Sequence, residues 1–403
     1  MNRHIQICAF FFIVFFSAAK ADTDTTDYDS VWIEKILASL SLEQKIAQLM
    51  VVAVRSDKTF EKANDPINID EVMELILKYG VGGIIFLGKN TFEITRDWIR
   101  SFQRMSKVPL LVCLDAEWGL GMRLANTMSF PRNNILGNAD SAVVRCIAGE
   151  IGRQLALIGV HMNFAPVIDV NNNPNNPVIG SRSFGDNPVT VADKGIAFML
   201  GLNDAGILSC AKHFPGHGDT EADSHITLPL IAHDKDRLRS IELYPFVELI
   251  RRGVPAVMTA HLAIPALESD SSLPSSLSYN IITNLLKKEL GFEGLVITDA
   301  LDMRGVTNGY KPGDIELRAL LAGNDILLCP LDVPEAILLI KKAVENGKIS
   351  EQEIDIRVKK ILAAKTWALT RNPESLNPVC DYDQLHTPQA YDLQQRALQT
   401  ITN

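Results

Sequence analysis

Residues 294–299, Gly-Leu-Val-Ile-Thr-Asp, form a short unbroken apolar run, rich in β-branched side chains, that stops on an ionisable residue. A half-exposed strand would alternate polar and apolar positions, whereas a continuous run of this length fits a strand buried on both faces, as in a parallel sheet. Seven further runs share the character, at 49–54, 82–87, 109–114, 163–168, 207–211, 255–260 and 325–328. Helical patterns separate most of them. Ile69, Val72, Ile76 and Tyr79 mark one helix, opened by Asn68 with Glu71 three residues on and closed by Gly80. Ser41 with Gln44 caps another ahead of the first run, and Ser350 with Glu353 forms a capping box before Ile354, Val358, Ile361 and Leu362. Eight strand–helix repeats over about 330 residues predict an α/β fold of the (β/α)8 TIM-barrel type. An open doubly wound sheet is the alternative, but no GxGxxG follows the early strands.

Five of the eight runs end in ionisable groups: Asp115 follows the third, Asp169 the fourth, Lys212 and His213 the fifth, His261 the sixth and Asp299 the seventh. In a parallel barrel these positions share the C-terminal mouth, where side chains from different strands converge on one pocket. A single aspartate after a strand serves as readily as a helix cap. Five strands ending this way point to an enzyme pocket.

The 403 residues are 47% hydrophobic and 22% charged, enough for a large core, and the net charge of −9 argues against a nucleic-acid surface. Arg3 and His4 precede an apolar stretch over 5–16, and Ala19 and Ala21 supply small residues at −3 and −1 of a cleavage site. Residues 1–21 therefore read as a signal peptide, with a periplasmic or secreted product and no membrane span once it is cleaved. An uncleaved anchor is the alternative, although the apolar stretch is short for a span. The barrel domain is expected over 22–375, and 376–403 is a short C-terminal tail or the start of a linker. Of six cysteines, Cys8 lies in the leader. The other five are widely spaced without a CxxC, and Cys113, Cys210 and Cys329 sit in apolar runs, so no disulfide framework is expected.

Residues 212–225, KHFPGHGDTEADSH, carry the densest chemistry. Pro215, Gly216 and Gly218 forbid a regular helix, leaving a loop able to fold over the mouth. Asp223 and His225 stand two apart, so a turn could join carboxylate to imidazole and fix the ring's tautomer as a general acid/base. The rival is a metal site drawing on His213, His217, Asp219, Asp223 and His225. Pro215 and Gly216 break the helix that the HxxxH spacing would need, and no HExxH is present, so neither metal nor cofactor is expected.

This stretch resembles the signature of glycoside hydrolase family 3, in its β-N-acetylglucosaminidase branch. LSLEQKIAQLM (40–50), LDAEWGLGMRL (114–124), FAPVIDV (164–170), NPVIGSRSFGDNP (176–188), VMTAHL (257–262) and VITDALDM (296–303) agree in the same order. The resemblance implies a (β/α)8 barrel that hydrolyses with retention through a covalent glycosyl-enzyme. It makes Asp299 the nucleophile and His225, tuned by Asp223, the acid/base, in place of the usual second carboxylic acid. It assigns Asp115, Arg123, Arg182, Lys212 and His213 to the sugar, with Asp169 and His261 as supports behind them. Asp302 is expected to serve a turn or helix. Trp118 stands where many relatives have glycine, and either stacks on a sugar ring or packs. The implied partner is a GlcNAc-containing glycan or cell-wall fragment. Transfer to phosphate, action on β-glucosides and a non-catalytic sugar-binding barrel remain as alternatives.

Overall fold

The computed structural model describes residues 23–56, 68–221, 228–307 and 309–399. Eight strands alternate with helices: β1 (Met50–Arg55), β2 (Gly83–Leu87), β3 (Leu111–Leu114), β4 (Met162–Asn163), β5 (Leu208–Phe214), β6 (Ala256–Thr259), β7 (Leu295–Thr298) and β8 (Leu327–Leu328). They pair in parallel in the order β8-β1-β2-β3-β4-β5-β6-β7, and a parallel bridge from Ile297 to Ile326 closes the ring. Val51 pairs with Gly83, Gly83 with Leu111, and Val257 with Val296. Ile84, Ile85, Leu111, Val112, Val296 and Ile297 are all buried. This two-faced burial is why the runs are continuous rather than alternating.

The helices form the outer ring, and side-chain caps fix their starts. Thr91 accepts from the Ile94 amide ahead of Phe92–Met105, Asp140 from Ala142 ahead of Ser141–Leu157, and Asn187 from Val189 and Thr190 ahead of Pro188–Asp204. The capping boxes at Ser41–Gln44 and Ser350–Glu353 form as expected. Asn68 does not cap. Its Oδ1 accepts from the Arg55 amide at 2.9 Å and its Nδ2 donates to Ala53 O at 2.9 Å, so it pairs with the end of β1 instead. The helix it precedes runs Ile69–Glu74, widens into a π turn over Leu75–Tyr79, and stops at Gly80 with φ 70°.

The fourth strand is shorter than the apolar run 163–168. Pro166 has no N–H to offer a ladder. The segment nevertheless stays beside β5, for Cys210 N donates to Ala165 O, Lys212 N to Pro166 O and Ile168 N to Lys212 O. Past the barrel, Tyr382–Leu385 and Pro388–Gln399 lie against its flank. The Tyr382 hydroxyl donates to Asn126 O at 2.8 Å, and Ala390 and Ala397 are buried. Cys113, Cys146, Cys210, Cys329 and Cys380 are free thiols. Among the described residues no helix is long and apolar enough to cross a membrane. Residues 1–21, the expected signal peptide, lie outside the described residues.

Lys365, on helix Glu351–Arg371, is buried with its Nζ donating to Gln48 Oε1 at 2.7 Å and, among the described residues, no carboxylate paired with it. Burial pulls its pKa down from 10.5 to about 7. Between those values the unfolded chain binds a proton that the folded chain refuses, so this lysine makes stability rise with pH across that window and stay level below it. From pH 7 to 8.5 the gain is about 1.5 kcal/mol. Lys365→Met should lack it, and urea midpoints of both proteins at the two pH values will show whether the gap between them narrows accordingly.

Candidate active site

The strand ends deliver their side chains to one face. Asp115 immediately follows β3, Lys212 and His213 lie near the C-terminal end of β5, and Asp299 immediately follows β7. Asn163 at the end of β4 braces the first of these corners, because its Oδ1 accepts from Ala116 N at 2.9 Å and its Nδ2 donates to Ala116 O at 3.1 Å. The loop after β5 passes so close to Val170 that a Cβ on Gly218 would lie 1.8 Å from the Val170 carbonyl oxygen. Only glycine fits there.

The charged groups form one chain of contacts. Arg123 donates to Asp115 Oδ2 at 2.7 Å, and Lys212 Nζ donates to Asp115 Oδ1 at 2.8 Å and forms an ion pair with Glu117 Oε1 at 3.0 Å. Glu117 takes the Arg182 guanidinium as a fork, with NH2 to Oε1 at 2.7 Å and Nε to Oε2 at 3.0 Å. Arg182 NH2 also faces His213 Nε2 at 3.3 Å. The other ring nitrogen of His213 meets Asp169 Oδ2 at 2.7 Å. Asp169 further accepts the His213 and His217 amides.

Burial alone would raise the carboxyl pKa values here, but the cations outweigh it. Lys212 and Arg123 hold Asp115 far below the usual carboxylate range, and Arg182 with Lys212 brings Glu117 down to about 2. Asp169 is lowered against its burial by His213 and its hydrogen bonds. Burial would strip the proton from Lys212, yet Asp115 and Glu117 hold it on and raise its pKa. At neutral pH Asp115, Glu117, Asp169 and Lys212 are therefore all charged.

Asp299 stands apart from this chain. It is half-buried, its amide donates to Thr259 O at 2.8 Å, and its Oδ1 accepts from Ala300 N at 2.8 Å. Burial opposes its charge, but the His213 and His261 rings, the Ala300 amide and Lys212 bring its pKa below the ordinary value. His261 holds the backbone that carries Asp299, with Nε2 at 3.0 Å from Ala300 O and Nδ1 at 2.6 Å from Ser276 Oγ.

The expected sugar-binding residues Asp115, Arg123, Arg182, Lys212 and His213 are thus brought together by direct contacts, and Asp169 and His261 lie behind them. Asp223 and His225, the expected acid/base pair, lie outside the described residues. Asp302 serves more than a turn, because it pairs with Arg55 from the end of β1. One face of Trp118 carries the Arg132 guanidinium, 4.2 Å from the ring centre. Glu117 is the residue that sequence reasoning missed. Its only local signal is its position two residues after Asp115. Of the residues weighed as metal ligands, His213 is engaged by Asp169 and His217 Nδ1 by Thr220 Oγ1 at 3.0 Å, while burial lowers the His217 pKa to about 4. Asp219, His233 and Glu242 lie within 4.8 Å of one another, a spacing that could hold a metal ion. Arg237 already supplies positive charge there, donating to Asp219 at 3.5 Å and to Glu242 at 3.2 Å.

Known proteins share the sequence pattern and the fold of this chain. Residues 41–364 match the profile of the glycosyl hydrolase family 3 N terminal domain. The chain is 35% identical over 328 residues to β-hexosaminidase A of Pseudoalteromonas piscicida, covering 73% of this chain and 55% of that protein. It is 33% identical over 346 residues to the β-hexosaminidase LpqI of Mycobacterium tuberculosis, covering 82% of this chain and 84% of that one. A solved family 3 β-N-acetylglucosaminidase from Paenibacillus sp. str. FPU-7 superposes with a TM-score of 0.80 at 37% identity, over 90% of this chain and 69% of its own. This chain thus spans little more than half the length of the Pseudoalteromonas relative. With a closed parallel barrel, an acidic and basic cluster at its C-terminal mouth and a profile match over most of its length, the chain belongs to glycoside hydrolase family 3.

Proposed function

We propose that the chain is a retaining exo-β-N-acetylglucosaminidase, releasing terminal β-linked N-acetylglucosamine from a glycan. The observation that carries this reading is Asp299: an ionised, half-buried carboxylate with a single backbone donor, beside a cluster of charged groups suited to sugar hydroxyls. Asp115 accepts from hydroxyls, while Arg123, Arg182, Lys212 and His213 hold hydroxyls and the acetamido group.

In the first step an Asp299 oxygen bonds to the anomeric carbon as the glycosidic C–O bond breaks. The departing oxygen keeps the electron pair and takes the proton of the His225 imidazolium. In the second step His225, now neutral, takes a proton from water as the water oxygen attacks the same carbon and frees Asp299. Asp223 orients the imidazole and favours its charged form.

Initial rates on an aryl β-N-acetylglucosaminide and the matching aryl β-glucoside, with and without phosphate, test the reading. A preference for the glucoside, or a sugar phosphate as product, would replace it. His225→Ala should slow a GlcNAc disaccharide by about 10²-fold or more, and a nitrophenyl glycoside far less, because a good leaving group needs no proton. Equal losses on both substrates would remove His225 from the acid role. Export is part of the same proposal, resting on the 1–21 leader. N-terminal sequencing of the protein outside the cytoplasm should start at Asp22.

A further inference from the structure

We propose that Glu117 is a positioning residue for the sugar site, acting through Arg182 and Lys212. The inference rests on the hexosaminidase reading and deepens it. Glu117 is only 1% exposed, so it offers no surface to a ligand. Its neighbour Ala116 is clamped at both N–H and C=O by Asn163, which fixes where the carboxylate points.

The donor inventory shows what this carboxylate does. Arg182 has five N–H groups. Nε and one NH2 hydrogen go to Glu117, the second NH2 hydrogen faces His213 Nε2, and one NH1 hydrogen reaches Val178 O at 3.4 Å. Lys212 has three, of which one goes to Asp115, while its ammonium sits 3.0 Å from Glu117 Oε1 as an ion pair. Among the described residues each cation keeps at least one donor for a ligand, and its direction is set by the contacts already made. Glu117 Oε1 is the atom common to both cations. It therefore sets their separation as well as their orientation.

No other residue type offers this. Glutamine has one acceptor oxygen and must turn an NH2 toward either Arg182 or Lys212. Aspartate keeps the charge but is one methylene short, so it reaches one cation and not both. Charge-assisted hydrogen bonds of this kind contribute a factor of about ten or more each in binding. Displacing the cations should therefore weaken sugar binding before it disturbs the chemistry at Asp299.

The test compares Glu117→Gln and Glu117→Asp with the parent in KM and kcat on the aryl β-N-acetylglucosaminide, and in N-acetylglucosamine affinity by calorimetry. Glu117→Gln should raise KM and weaken N-acetylglucosamine binding by about tenfold, with kcat falling far less. Glu117→Asp should lie between it and the parent. In an Arg182→Met background the glutamine change should cost about half as much or less on a logarithmic scale, because one of its two targets is gone. A folded Glu117→Gln with KM and affinity within about twofold of the parent overturns the proposal. So does an equal loss with and without Arg182, which would mark a general structural role. If the glutamine variant does not fold, Glu117→Asp decides alone, and parental KM and affinity there overturn the proposal. A parent that binds N-acetylglucosamine without hydrolysing the glycoside defeats the functional reading, yet leaves Glu117 tested through binding. A parent that does neither defeats both.

Discussion

Asp299→Ala should lower kcat on an aryl β-N-acetylglucosaminide by roughly 10⁴-fold or more, with the fold intact and N-acetylglucosamine still bound. Both halves of this result follow from the geometry. Among the described residues the carboxylate has one side-chain hydrogen bond, from Ala300 N, and no ion-pair partner, so its removal leaves no described buried cation stranded. The groups proposed to hold the sugar are tied to Asp115, Glu117 and Asp169 instead. Truncation also opens space below the anomeric carbon. Azide added to the variant should restore part of the rate by attacking there directly, giving the α-glycosyl azide after a single inversion. The intact enzyme should show its own signature. Because Asp299 sits below the ordinary carboxylate value of 3.8, its ionised form persists as pH falls, and the acid limb of kcat/KM should lie below about pH 4. A variant retaining about a tenth of parental activity, or one that azide leaves unchanged with loss of sugar binding, would show that Asp299 is structural.

The barrel was legible because burial on both faces leaves a mark in every strand. Runs such as 294–298 are continuous where a one-sided sheet would alternate, and the observed strands fall within a residue or two of most of them. The exception, 163–168, is apolar for the same reason but contains Pro166, and composition alone does not report that a ladder is interrupted. Asn68 misled in the opposite way. Its type and place before an amphipathic pattern fit a cap, yet the end of β1 offers its amide and carbonyl the better partners. The mouth residues were legible because strand ends in a parallel barrel share one face, so position substitutes for contact. What position does not encode is which groups pair. Glu117 meets Arg182 across 65 residues and Arg55 meets Asp302 across 247, and neither span leaves a local pattern. The interior lysine is hidden for a related reason. Lys365 reads as one more polar residue on a long helix, and only packing shows that it points inward.

Lys212→Met should carry the other large effect, and it should appear in stability and in catalysis together. The ammonium lies between Asp115 and Glu117 with almost no exposure. Methionine fills most of the volume but leaves two buried carboxylates sharing one cation fewer. Removing one partner of a buried network costs about 3 kcal/mol. The chain should still fold, since Arg123 remains on Asp115 and Arg182 on Glu117. The sign with pH follows from the direction of the shifts. Both carboxyls are depressed in the folded protein, so their stabilising contribution is complete above about pH 5 and is lost as pH falls toward the folded values, near 2 for Glu117. Without Lys212 those values rise and the loss begins at higher pH. The gap between parent and variant should therefore be full at pH 7 and shrink at pH 3, as read from urea midpoints. On the catalytic side, the Nζ donor left for a ligand has no replacement, and Asp115 and Glu117 repel where they were bridged. The value of kcat/KM on the aryl β-N-acetylglucosaminide should fall by about 10²- to 10³-fold. Arginine should not rescue it, because a planar fork does not fit the slot of a compact ammonium. A Lys212→Met protein that is destabilised yet turns over at the parental rate would place the sugar away from the β5 end of the mouth, and with it away from His213 and Arg182.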